Sequence, residues 1–228
     1  MTDDPIVHIQ KTGLVAWVTV RQDEDVVPLV AALHRGGVTA VALQASTLAL
    51  PQAVGRARTA FVRRVLIGVT GVHSAEEARE ATRAGAEFVL TTSVDPEVIQ
   101  ACQDARVLAI PGAFTPTEIR QAWAQRTGLV ALFPAGGLGS AYVRDVLRAM
   151  PDITLVTAGA ITPEHAGEFI RAGAAAVVAS DESEVGESGD SDVVTRRACA
   201  FVEAIARART RPVRPAPPVR PVEGPDIR

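Results

Sequence analysis

Eight short, almost unbroken apolar runs recur along the chain, and this rhythm limits the available folds more than any other feature. They are Leu14–Val20, Thr39–Leu43, Val65–Val69, Glu87–Leu90, Val107–Ile110, Leu129–Phe133, Thr154–Thr157 and Ala175–Ala179. A strand with one wet face alternates apolar and polar residues, whereas a continuous run is buried on both faces, as in parallel sheets covered by helices. The segments between the runs carry helix signals, so the chain reads as consecutive βα units. Ser74-Ala75-Glu76-Glu77 and Thr115-Pro116-Thr117-Glu118 have the spacing of capping boxes, and Asp95-Pro96 and Thr162-Pro163 repeat the cap-plus-proline start. Gly36-Gly37-Val38, Ala84-Gly85-Ala86 and Ala172-Gly173-Ala174 place glycine just past a helix and just before a strand. One unit every 20–25 residues, roughly, points to closure into an eight-fold barrel rather than an open doubly wound sheet. The expected fold class is α/β, a (β/α)8 TIM barrel.

At 228 residues the chain has the length of one such barrel. Apolar residues make up 47% and aromatics 4%, so the core must be built from Ala, Val, Leu and Ile. A net charge of −3 gives no electrostatic ground for nucleic acid. No apolar run approaches the ~18 residues of a membrane span, and the start MTDDPIVHIQK is too polar for a signal peptide. Cys102 and Cys199 have no metal-ligand spacing. The expectation is a cytoplasmic protein without metal or cofactor. Residues 1–210 read as one barrel domain. Within it, Asp181–Asp192 is acidic, rich in Gly and Ser, and reads as a flexible loop after the last strand. Residues 211–228 hold six prolines and read as an extended Pro/Arg-rich tail, either a docking segment for a protein partner or a solvated terminus.

Function in such a barrel is read at the C-terminal ends of the strands. Three segments there carry a resemblance: Gly68–Val94 (GVTGVHSAEEAREATRAGAEFVLTTSV), Ile110–Ile119 (IPGAFTPTEI) and Leu132-Phe133-Pro134-Ala135. Together they resemble the 2-keto-3-deoxy-6-phosphogluconate / 4-hydroxy-2-oxoglutarate aldolase family, in register from about Leu14 to Val178. The resemblance implies a class I aldolase barrel and a homotrimer, with aldol cleavage to pyruvate and an aldehyde as the family reaction.

The residues that would perform that reaction are replaced. Relatives read VKLFPA, with the imine-forming lysine where this chain has Ala131. The general-base glutamate position falls on Ala42, an arginine position on Ser46, and the threonine of a GAGT motif on Gly71. Two phosphate-binding turns read Ala158-Gly159-Ala160 and Ala179-Ser180-Asp181 here, and added side chains crowd backbone N–H groups that would hold a phosphate. The chain has 22 arginines and a single lysine, Lys11, which precedes the first strand and so belongs to the opposite mouth. Arginine cannot form an imine, because it does not lose its proton.

The remaining candidates at the mouth each have two readings. Arg21 is either a bidentate anchor for a small carboxylate or a rim arginine. His73 is either a general acid–base group or a loop residue ahead of the Ser74 cap. Thr70, Thr91, Thr92, Thr157 and Ser180 either offer hydroxyls to a ligand or are ordinary strand-end hydroxyls, Phe133 and Pro134 either shape a pocket wall or serve packing, and Asp181 is a cation ligand or solvated acid. The first functional expectation is a barrel that has lost imine catalysis and serves as a small-molecule-binding, accessory or scaffold protein. The alternative is an enzyme with a different reaction on a small keto or carboxylic acid. A working keto-acid aldolase is third, since the lysine it needs is missing from its place.

Overall fold

The computed structural model describes residues 4–20, 22–180 and 190–210, and every apolar run forms a strand within two residues of its expected limits. The strands are β1 (Leu14–Val18), β2 (Ala40–Gln44), β3 (Leu66–Thr70), β4 (Phe88–Leu90), β5 (Leu108–Ile110), β6 (Gly112–Ala113), β7 (Val130–Leu132), β8 (Leu155–Gly159) and β9 (Ala176–Ala179). All pairings are parallel, in the order β5-β4-β3-β2-β1-β9-β8-β7-β6. The expected run Val107–Ile110 forms β5, and the unexpected two-residue strand β6 follows it past Pro111, which has no N–H to give to a ladder. Its carbonyl still accepts from Ala131 N at 2.8 Å. Since β5 pairs with β4 and β6 with β7, the segment from Leu108 to Ala113 joins both ends of the sheet and closes an eight-position α/β barrel.

Around it run α1 (Pro5–Thr12), α2 (Val26–Arg35), α3 (Leu50–Ala60), α4 (Ala75–Arg83), α5 (Pro96–Asp104), α6 (Pro116–Ala124), α7 (Gly139–Ala149), α8 (Pro163–Ala172) and α9 (Ser191–Thr210). Their starts follow the capping chemistry. Thr115 forms a full capping box, its hydroxyl accepting from Glu118 N while the Glu118 carboxylate accepts from Thr115 N and Phe114 N. Those backbone N–H bonds hold the Glu118 carboxyl below its usual range. Ser74 caps in the same way, with the Glu77 carboxylate accepting from His73 N at 2.7 Å, as Glu118 does from Phe114 N. Helix α9 starts inside the segment read as a loop. Asp190 there accepts from Asp192 N at 2.8 Å, and the buried spacing Val194, Ala198, Phe201, Ile205 carries the helix onward. Residues 181–189 and the tail 211–228 lie outside the described residues.

Alternation along the strands splits the core in two. One set, including Val18, Val41, Leu43, Val69 and Leu155, packs between barrel and helices. The other fills the barrel interior and contains Val15, Ala42, Phe88, Leu90, Ala131, Val156 and Val178. Helix α1 closes the base from below, with Ile9 fully buried in the inner set. It is held there by Arg209 of α9, whose guanidinium donates to the carbonyls of Lys11, of Gln10 (2.7 Å) and of Ala175 (3.3 Å). Gly13, with φ of 76°, ends α1 under this guanidinium, where a side chain would collide with it. Arg209→Ala should therefore lower unfolding free energy by about 1–2 kcal/mol, as expected for lost hydrogen bonds to a cation. Urea unfolding checks this, and an unchanged midpoint would show that α1 is held by apolar contact alone.

Candidate functional site

The inward positions decide what the barrel can do. Trp17 stands opposite Ala42, Ala42 opposite Gly68, and Gly68 opposite Phe88 across adjacent strands. On the far side Gly112 faces Ala131, and Ala131 faces Val156. Ala42 and Ala131 are both completely buried. The volume near them is taken by aromatic rings. Phe88 lies fully buried against Gly68, where a Cβ would meet the ring at 2.5 Å. Trp17 and Phe133 pack at a ring-centroid distance of 6.1 Å and seal the inner cluster toward the mouth.

Above this aromatic pair opens a cleft of about 470 Å³, at the C-terminal ends of β1, β2, β7, β8 and β9. A cleft of that size suits a small ligand. Trp17, Thr19, Gln44, Ser46, Phe133, Pro134, Gly136, Gly137, Gly159, Ala160 and Ser180 line it, and none of these carries a charge. The indole Nε1 of Trp17 donates to Gln44 Oε1 at 2.8 Å. An indole N–H can only donate, so this bond fixes the amide and turns its NH2 toward Gly71. A side chain at Gly71, where φ is 72°, would strike that NH2 at 2.5 Å. Gln44 thus occupies room that Gly71 leaves open. Across the cleft, Ser180 Oγ donates to Gly159 O at 3.2 Å and ties the ends of β8 and β9.

Of the residues expected at the site, Phe133, Pro134, Ser46 and Ser180 come together in the cleft. Others do not. Thr91 is buried at the barrel seam, where its hydroxyl donates to Ser93 O at 2.6 Å and accepts from Gly112 N at 3.3 Å. Thr157 lies on β8 between the inward Val156 and Ala158, so its hydroxyl faces the helix layer rather than the cleft. His73 is exposed and outside the lining. Thr70 faces inward, completely buried. Arg21 and Asp181 lie outside the described residues. Lys11 sits in the last turn of α1, at the base. Trp17 and Gln44 were not expected. The signal for them was the alternation itself, which sets Trp17 in phase with Val15, and Gln44 in phase with Ala42, on the inward face.

Among the described residues no amine or thiol lines the cleft. Burial on α5 pushes the Cys102 thiol up to about 11, so it stays protonated, and it belongs to the helix layer. Among the described residues there is no group of three or more His, Cys, Asp or Glu able to hold a metal ion.

A family model for the KDPG and KHG aldolases matches residues 6–197, from α1 into α9. The chain belongs to this aldolase family. It is 31% identical over 163 residues to the 2-dehydro-3-deoxy-phosphogluconate aldolase of Treponema pallidum, covering 71% of this chain and 77% of that one. Over 200 residues it is 26% identical to the 2-dehydro-3-deoxy-6-phosphogalactonate aldolase of Escherichia coli, covering 87% and 97%. The solved native KDPGal structure superposes with a TM-score of 0.81 at 24% identity, covering 86% of this chain and 95% of that one, a likeness of fold. In this aldolase-family barrel the packing of Phe88 on Gly68 leaves no room for an added methyl. Gly68→Ala should cost about 1–3 kcal/mol through overpacking, and Phe88→Leu in the same chain should recover part of it. Thermal unfolding of the single and double variants checks this; additive losses would mean the two residues do not share the space.

Proposed function

We propose that this aldolase-family barrel no longer performs imine-forming catalysis and acts as a small-molecule-binding, accessory or scaffold protein. The observation that supports it most is the neutral cleft: none of its described lining residues offers an amine or a carboxylate. Ala131 and Ala42, set by resemblance at the family's lysine and glutamate positions, are fully buried in the inner cluster against which Trp17 and Phe133 pack. Imine formation needs an amine that can lose its proton next to the keto carbon. Lys11 is held on α1 at the base, on the other side of the filled interior. A different enzyme built on Arg21 and His73 gains no support from His73, which is exposed outside the cleft.

A cytoplasmic location belongs to the same proposal; among the described residues no helix is long and apolar enough to cross a membrane. So does a protein partner for the Pro-rich tail, which lies outside the described residues. Incubation with pyruvate and borohydride should leave the mass of the chain unchanged. A stoichiometric adduct, on Lys11 or elsewhere, would sink the proposal.

The proposal also includes a homotrimer. Leu48 and Val62 are 69% and 60% exposed on the isolated chain, and closed cyclic symmetry is an economical way to cover apolar surface. Light scattering at micromolar concentration should give about three times the 23.9 kDa chain mass. A clean monomer would count against the assembly and against a scaffold role.

A further inference from the structure

We infer that the cleft takes an uncharged, polyhydroxylated ring of monosaccharide size, an inference that rests on the binding reading above. Its floor is aromatic, with the Trp17 indole and the Phe133 ring tilted by 39° to each other. Such a floor suits the C–H face of a sugar ring, which is apolar although the ring edge is not. The walls supply both hydrogen-bonding senses. The Gln44 amide oxygen is occupied by the indole N–H and its NH2 is turned toward Gly71, so Gln44 acts by holding the Trp17 ring and the donor on this wall is the Ser46 hydroxyl. Ser180 spends its proton on Gly159 O, which leaves its oxygen as an acceptor. The Ala160 carbonyl oxygen stands where a side chain on Gly136 would meet it, on the same wall, and adds a second acceptor. Ser46 completes the rim with a hydroxyl that works in either sense.

This mixture distinguishes ligand classes. Phosphate and carboxylate oxygens only accept, so the Ala160 carbonyl and the Ser180 oxygen would repel them. Desolvating an anion against neutral groups is also costly without a counter-charge, and the described lining residues supply none. A hydroxyl both donates and accepts, and pairs with each of these groups without a charge to compensate. The inner barrel sets the depth, because the Trp17–Phe133 floor stops the ligand above the Ala42 and Ala131 level.

The test uses the full chain with D-glucose, D-galactose and D-mannose at up to tens of millimolar, beside 6-phosphogluconate and gluconate. Trp17 and Trp123 are the two tryptophans, so Trp123→Phe makes Trp17 the sole indole reporter. At least one neutral hexose should shift its emission and raise the unfolding temperature, and the two acids should do neither. Trp17→Leu should weaken hexose binding, measured by calorimetry, about five- to tenfold through the lost ring contact. Gln44→Ala should weaken it roughly fivefold. His73→Ala, outside the cleft, should leave it unchanged. The inference is overturned if no hexose binds, or if 6-phosphogluconate binds more tightly than every hexose. Either result leaves the loss of imine chemistry standing, which falls only to a borohydride-trapped pyruvate adduct.

Discussion

Closure of the barrel depends on one short stretch, Leu108–Ala113, which must bond to β4 with its first half and to β7 with its second. Pro111 interrupts it, and the interruption is managed by neighbours rather than avoided. The Pro111 carbonyl still serves Ala131, and the Thr91 hydroxyl accepts from Gly112 N where the strand changes partner. Gly112 has no side chain for a reason of space: a Cβ there would strike the backbone of Thr91 and Thr92. If this seam opened, the inward faces of β4 and β7 would no longer enclose a common interior. The aromatic floor and the cleft above it would go with them. Thr91, which reads as a ligand contact from its place at a strand end, is therefore a closure residue.

The fold was legible because its signals are local. Continuous apolar runs, cap residues such as Thr115 and Asp95, and glycines such as Gly173 each act within one turn or one strand. Their errors were local as well. A two-residue strand, β6, follows Pro111 where no run marked one, and Asp190 started α9 earlier than its acidic, Gly/Ser-rich surroundings implied. No apolar run marked α1, because only Ile9 on it is fully buried.

The site was less legible, because it depends on which way a side chain points and what lies across the barrel. Thr157 and Ser180 look alike as hydroxyls at strand ends, yet one faces the helices and the other the cleft. Gln44 could be placed inward by counting from Ala42, but its bond to Trp17 joins residues 27 apart in sequence. The open space at Gly71 that admits its amide is a further non-local condition. The absence of lysine at position 131 needed no structure to see. What occupies the interior instead, the rings of Phe88, Trp17 and Phe133, did.

The Arg209 contact has a consequence for how the barrel is assembled. It joins positions 198 and 199 residues apart, so the base helix and the last helix meet at one end, away from the cleft. A chain emerging from the ribosome makes α1 first and must leave it unclamped until α9 has been synthesised. Until then the underside of the barrel, with Ile9 and its neighbours, has only part of its final cover. The same proximity means that a short linker could bridge these two helices and new ends be cut in an exposed loop elsewhere. The order of synthesis and the order of closure could then be separated in one molecule.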